Sequence, residues 1–283
     1  MKKHYFLVLS IIISICCVTT KYGFAATVGN ALDLDLPQRS AMLRQDIVEN
    51  TLDECEQAVK VKVSFDAEFV FNKDLHVNSD LRGAEIKGQW YMTKLGMTIF
   101  NRVEPYVKVG TSNLTARWKH GAQEIEVASD NGFAWGGGLK INILEFWGIR
   151  LTGDAQYRTT DPDVKEATVN AISAKDSGAK FEVEERQASL LVSKKFEIPL
   201  KLQSIYVVPY AGVSYADSNV DVSFLNANNP TGDYSLFDAN NKKLYGFIFG
   251  FDIVPSLSSA FVYSLELRLV DEVALSLGGT MKF

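Results

Sequence analysis

A row of charges recurs on one face of a series of alternating segments: Lys62, Asp66, Glu68, Lys94, Lys108, Lys140, Arg150, Asp154, Arg158, Asp252, Glu266 and Arg268. Side chains of these types, set opposite an apolar face, can do one of two things. Around a water-filled lumen they form charged rings that select ions. In a narrow lumen they must pair with one another, because an unpaired buried charge is too costly. Cations and carboxylates are interspersed here, so pairing is the plainer reading and a charged passage for small solutes the functional one. Gly96, Gly110, Gly136, Gly138, Gly212, Gly246, Gly250 and Gly278 share that face. They would widen the lumen or let a bulky neighbour cross it.

Catalysis finds less support. Beyond residue 25 the histidines are His76 and His120, in Asp74-Leu75-His76 and Lys119-His120-Gly121. Acyl transfer or activated-water hydrolysis needs a base beside a nucleophile or water and an orienting group behind it. No local motif sets Ser or Asp beside either histidine on a strand, so no catalytic residue and no cofactor is expected. The alternative is an enzyme of the outer membrane, a protease or a lipid-modifying one. Asp217, Asn219 and Asp221, with residues 226–229 and 238–241, offer oxygen ligands. They lack the spacing and closing Glu of a calcium loop, so solvated turns are expected and no metal.

Composition narrows the field. The first 25 residues carry Lys2 and Lys3, an apolar run from Tyr5 to Val18, and Gly23-Phe24-Ala25 before Ala26. That is the pattern of a secretory signal peptide over 1–25. Its removal takes Lys2, Lys3 and Lys21 and no acid, which deepens the net charge from −5 to −8. An acidic exported chain is not a nucleic-acid binder by default. One cysteine, Cys55, would remain, so neither an internal disulfide nor a cysteine metal site is expected. No later stretch of 18 apolar residues offers a helical span.

The charged row must be positioned by strands. Ten segments alternate with period two, near 59–72, 85–100, 103–118, 133–143, 149–158, 186–196, 205–222, 243–254, 260–270 and 273–283. In the first, Val61, Val63, Phe65, Ala67, Phe69 and Phe71 oppose Lys62, Ser64, Asp66 and Glu68. A strand presents successive side chains to opposite faces, so each segment has one greasy and one polar face. Two closed folds satisfy this. A membrane barrel turns the greasy face to lipid. A soluble periplasmic barrel with an apolar ligand inside, lipocalin-like, turns it inward.

Spacing favours the membrane barrel. Gaps between segments run long, short, long, short: 73–84, 119–132, 159–185 and 223–242 are long, while Asn101-Arg102, 144–148 and 255–259 are tight. Outer-membrane barrels pair long external loops with short periplasmic turns. The last connection, Asp271-Glu272, should be external yet is short, so the count is about ten strands with eight or twelve also compatible. Tyr106, Phe146, Trp147, Phe196, Tyr206 and Phe283 fall toward one end of the strands, and Trp118, Phe133, Trp135, Tyr157, Tyr215 and Tyr245 toward the other. Two aromatic girdles are expected from that placement.

Two features carry a resemblance. The chain ends on Phe283, closing an alternating strand that begins at Val273, and this resembles the C-terminal signal of bacterial outer-membrane β-barrels. The stretch Val103-Glu104-Pro105-Tyr106-Val107-Lys108-Val109-Gly110 is echoed by Val207-Val208-Pro209-Tyr210-Ala211-Gly212-Val213-Ser214. Such a Pro-Tyr pattern is similar to that of small OmpA-like and porin-like outer-membrane barrels. The resemblance implies an all-β, antiparallel transmembrane barrel over 59–283 in the bacterial outer membrane, with the lipid bilayer and the barrel-assembly machinery as partners and Phe283 as the assembly signal. The implied role is structural or surface-interacting, or a narrow passive pore. Loops 159–181 and 223–242 would meet any external ligand or surface. Between signal and barrel, Leu43, Ile47, Leu52, Cys55 and Val59 recur at helical spacing, so 26–58 is expected to form a short periplasmic or plug-like helical segment.

Overall fold

The computed structural model describes residues 59–77, 81–100, 102–170, 172–174, 179–200, 204–225, 233–256 and 260–283. The expected signal peptide and the 26–58 helix lie outside them. Among the described residues every regular element is a strand: β1 (Val59–Val77), β2 (Leu81–Ile99), β3 (Val103–His120), β4 (Gln123–Ser129), β5 (Gly132–Phe146), β6 (Ile149–Thr160), β7 (Val164–Val169), β8 (Ile172–Ala174), β9 (Ala179–Lys194), β10 (Phe196–Pro199), β11 (Ser204–Leu225), β12 (Asp233–Asn241), β13 (Tyr245–Val254), β14 (Phe261–Leu269) and β15 (Val273–Lys282).

Ten of them close a barrel in the order β1-β2-β3-β5-β6-β9-β11-β13-β14-β15, every neighbour antiparallel. The last strand returns to the first, from Lys62↔Lys282 to Asn72↔Val273. Closure leaves no row of unpaired backbone groups along the wall. At the end that holds Val59 and Phe283 the turns are short. Trp147 and Gly148, with φ of +50° and +72°, turn β5 into β6 in the manner of a hairpin with two left-handed central residues.

Side-chain polarity then does something that alternation alone does not reveal. In the lower barrel the outward row of β3 is Val103, Pro105, Val107, Val109 and Thr111, and the inward row is Glu104, Tyr106, Lys108, Gly110 and Ser112. Farther along the same strand the buried inward row becomes Leu114, Ala116 and Trp118, while Asn113, Thr115, Arg117 and Lys119 face out. On β9 the inward Gln187 and Ser189 give way to Val183 and Phe181, and the outward Leu190 and Ala188 to Arg186, Glu184 and Glu182. On β11 the outward Val213 and Tyr215 are followed by Asp217, Asn219 and Asp221, as Val220 and Val222 go inside. The lower barrel is thus greasy outside and mostly polar inside, with small apolar clusters at Val208, Val254 and Val262 and at Leu191 and Ile248, and the upper part is the reverse.

The upper part is a ring of its own. β14 and β15 end at Val270, and β12 crosses over them to pair with both β11 and β1, at Asn219↔Asn240 and His76↔Asn240. β4 and β7 pair with each other and continue the lines of β5 and β6. A bridge at Asp163↔Lys180 joins β7 to β9. Eight strands surround a core of Ile86, Trp90, Leu114, Trp118, Val127, Phe181, Val183 and Val222. On β1 the inversion uses a bulge between Val70 and Lys73, which shifts the inward set from Glu68 and Val70 to Lys73 and Leu75. An extra residue in one strand re-aims every side chain beyond it.

This corrects three expectations. The stretches 73–84, 119–132, 159–181 and 223–242 are not simply loops but carry the strands of the upper ring. Trp118 belongs to the upper core rather than to a girdle. Tyr106 and Tyr206 point inside. The first two share a reason, that a pattern read for greasy-outside strands mistakes greasy-inside strands for connections; the two tyrosines were read by their height along the strand although their parity points inward. If the upper ring has a packed core, Leu114→Ala will lower the unfolding free energy by about 2–5 kcal/mol, whereas Thr115→Ala beside it, facing outward, will change it by less than about 0.5 kcal/mol. Urea unfolding followed by tryptophan fluorescence measures both.

Candidate functional site

The polar lumen of the lower barrel is the site, and it is built in two layers. In the layer nearer the chain ends, Glu104 on β3 is the hub. Its carboxylate accepts from Lys62 Nζ at 2.6 Å and from Thr98 Oγ1 at 3.1 Å, with Lys94 Nζ at 3.7 Å. Two strands along the same wall, Lys108 donates to Gln156 at 2.8 Å, and Lys94 and Lys108 lie over the Tyr106 ring at 5.1 and 5.4 Å. Asp66, Asp154, Asp252 and Lys140 complete the layer, all buried. Four lysines therefore meet four carboxyl groups with almost no water contact. Charges this far from solvent persist only when paired in this way.

The second layer lies under the upper core. Arg158 on β6 reaches Glu68 at 3.0 Å and Glu185 at 3.2 Å, and its guanidinium stacks over Trp90 at 4.1 Å. Arg268 on β14 reaches Glu68 at 3.1 Å, Glu272 at 3.3 Å and Glu266 at 3.5 Å. Lys73 donates to Ser218 at 2.6 Å, with Glu185 at 3.9 Å. Glu68 thus joins two guanidinium groups from opposite walls, and strands far apart in sequence are tied through one carboxylate. A small cavity between Lys73, Trp90, Glu185 and Ser218 borders Ile86, Leu114, Val183 and Val220, where charge gives way to hydrocarbon.

The Pro-Tyr echo has a spatial counterpart. Tyr106 crosses Gly138 on the neighbouring strand and donates to Asp154 on the next, at 3.0 Å. Tyr210 crosses Gly250 and donates to Glu266, at 3.0 Å. A Cβ at either glycine would collide with the ring, so each Tyr–Gly–acid set needs the missing side chain. Here the inward glycines accommodate bulky neighbours more than they widen the lumen.

Lys62, Asp66, Glu68, Lys108, Lys140, Asp154, Arg158, Asp252, Glu266 and Arg268 are all buried in the lumen, with Lys94 slightly more open. Arg150 stands apart at the lower rim and pairs with Glu145 at 2.9 Å. Sequence reasoning missed Glu104, Tyr106 and Tyr210, although each shares the inward parity of a residue that it found, and Glu185, which fell in a stretch read as a connection. Lys73, Asp271 and Glu272 gave no such signal, because a bulge and a turn precede them. His76 and His120 lie on strands of the upper ring, exposed. Among the described residues no group of three His, Cys, Asp or Glu side chains is placed to hold a metal ion.

Fold and lumen together define an inside-out antiparallel β-barrel, closed by pairing of its last strand with its first. No protein-family model matches the sequence, and no curated protein does. Among solved structures the chain is similar to the outer membrane protein OprG from Pseudomonas aeruginosa, at 10% identity and TM-score 0.35, over 80% of this chain and 96% of that one. It is also similar to the translocator domain of the autotransporter NalP from Neisseria meningitidis, at 8% and 0.38 over 80% and 88%, and to the transport unit of the autotransporter AIDA-I from Escherichia coli, at 8% and 0.38 over 83% and 93%.

The pairing makes a sharp prediction. Glu68→Ala leaves Arg158 and Arg268 each short of a partner in a dry lumen and will cost about 3–5 kcal/mol. Half-buried Glu184 on the outer face of the upper ring accepts from Tyr157 at 3.1 Å and lies 3.9 Å from Arg186, and Glu184→Ala will cost about 1 kcal/mol. Guanidinium unfolding of the refolded protein compares the two.

Proposed function

We propose that this chain is a bacterial outer-membrane β-barrel with a shut lumen, and that its role is structural or surface-interacting. The carrying observation is the belt of exposed apolar side chains around the lower barrel, Phe65, Leu95, Val109, Leu139, Val192, Val213, Phe249 and Leu277 among them, wrapped about a charged interior. Water on the belt side would make this arrangement doubly unfavourable, since grease would be wet and charges dry. Lipid on that side removes the first penalty, and ion pairing inside the lumen offsets the second. Nine residues of β14, at ~3.3 Å each and tilted by ~40°, rise about 23 Å, close to the apolar height that such barrels present.

The rims agree with this. Phe133, Trp135, Tyr215 and Tyr245 are exposed at the upper limit of the belt, and Phe100, Phe146, Trp147, Phe196 and Phe261 at the lower, where amphipathic or bulky rings settle at an interface. On this reading residues 1–25 direct export, Phe283 marks the last strand for the barrel-assembly machinery, and the upper ring stands in the external medium. Its outward polar residues, with the segments 159–181 and 223–242, are where an external partner would bind. We assign no catalysis, since the two histidines stand outside the charged lumen.

A passive pore is the weaker variant, because the lumen charges are paired and the packed core of Trp90, Trp118 and Phe181 lies above them. A ligand-binding barrel of reversed sidedness describes the upper ring alone, and its core leaves little room. Planar-bilayer recording of the refolded protein, after unboiled samples migrate on gels as a folded barrel, tests the proposal. A folded, silent barrel is expected, and discrete reproducible steps would make it a pore. Val107→Arg, at mid-belt beside Leu95, will lower stability in lipid vesicles by about 2–4 kcal/mol; no loss there would count against lipid around the belt.

A further inference from the structure

The turn between β14 and β15 lies where the wall drops from ten strands to eight, and its acids point the wrong way for a surface turn. Val270 is exposed with φ of +90°, a conformation that β-branched residues rarely adopt. Asp271 and Glu272 then turn inside, 3% and 0% exposed. Asp271 Oδ1 accepts the Glu272 backbone N–H at 2.9 Å and fills the space above Gly246. Among the described residues, Asp271 Oδ2 and both carboxylate oxygens of Glu272 find no hydrogen-bond partner.

The charged groups around this turn are Lys73 and Glu68 from β1, Arg158 from β6, Glu185 from β9, and Glu266 and Arg268 from β14. β11 supplies Ser214 and the Tyr210 phenol that donates to Glu266, β12 ends on the buried Asn241, and β13 brings Gly246. Among the described residues, five carboxyl groups, those of Glu68, Glu185, Glu266, Asp271 and Glu272, thus gather about three cations. Arg268 is the guanidinium that reaches Glu272, and Glu68 and Glu266 draw on it too. Excess buried negative charge is relieved most simply by binding protons.

We propose that the Asp271–Glu272 turn is a proton-operated latch between the lower barrel and the upper ring, tucked inside while its carboxyl groups are neutral and released outward when they ionise. Burial, the largest cause, pushes the Asp271 carboxyl up to about 6 and the Glu272 carboxyl well above the ordinary range, with Asp271 itself adding repulsion on Glu272. The sign follows. An acid with a raised pKa inside prefers the inside fully below the ordinary carboxyl range, loses that preference as pH rises through about 6, and loses more as the second acid ionises. The latch needs water outside the turn to receive the ionised acids, and it does not depend on conduction.

A nitroxide on Val270→Cys, in the full chain with Cys16, Cys17 and Cys55 each replaced by serine, reads the turn's mobility in detergent micelles from pH 4 to 9. The label should be immobile at acid pH and gain mobility with a midpoint at or above 6. With Asp271→Asn and Glu272→Gln together it should stay immobile throughout. A label indifferent to pH, or one that responds equally in the double variant, overturns the latch. So does equal mobilisation of a label at Leu277, which would mean that the whole hairpin loosens. Should the double variant not fold, Glu272→Gln alone must narrow the transition to the step near 6, and an unchanged profile likewise overturns the proposal.

Discussion

Everything in this molecule is arranged about one level, at which side-chain polarity changes sides. It passes between Phe71 and Asn72 on β1, Thr111 and Asn113 on β3, Ala188 and Arg186 on β9, and Tyr215 and Asp217 on β11. Below it the wall must be greasy outside, and above it greasy inside. The five strands β1, β2, β3, β9 and β11 cross the level unbroken, so each carries both patterns in succession. The hairpin of β14 and β15 stops at the level, with Val273 paired to Asn72. That leaves a gap above it, and β12 closes the gap by pairing with β1.

The charged lumen follows from the same arrangement. If hydrocarbon surrounds the belt, as we propose, an apolar interior would make the two faces of each strand alike, and a one-residue slip would then cost little. Polar inward residues make such a slip prohibitive, because it would turn Lys62, Asp66, Glu68 and their neighbours outward. Buried ion pairs seldom stabilise a protein relative to well-packed hydrocarbon. Their contribution here is better seen as specificity. Glu68 accepts only a geometry that brings β6 and β14 within reach together, and Glu104 does the same for β1 and β2. The two Tyr–Gly–acid sets act similarly, since each tyrosine spans one strand to reach a carboxylate on the next.

The two layers differ in balance. The lower one matches lysines with carboxyl groups, while the upper one holds more acids than cations, and the surplus collects at the β14–β15 turn. That is also where the hydrogen-bonded wall is interrupted and where a β-branched residue takes up a left-handed backbone. Strain, surplus charge and a change in strand number fall together because a short hairpin has to end beneath a crossing strand, with its turn residues facing a core instead of water.

Much of the lower barrel was legible in the chain itself. A side-chain period of two is a local property, and it places Lys108 with Gly110 and Val107 with Val109 whatever the strand pairs with. The ten strands, their tight turns at one end and the inward set of charges follow from it. The upper ring was not legible in that way, because alternation tells which residues share a face and not which solvent the face meets. Trp118 was placed at an interface for that reason, and 119–132 and 223–242 were read as loops. The bulge after Val70 concealed Lys73 by shifting parity, and Glu104 was passed over though its parity pointed inward. Which carboxylate meets which guanidinium, and that Asp271 and Glu272 turn inside, was decided by the tertiary structure alone, since those contacts join residues on strands that only closure of the barrel brings together.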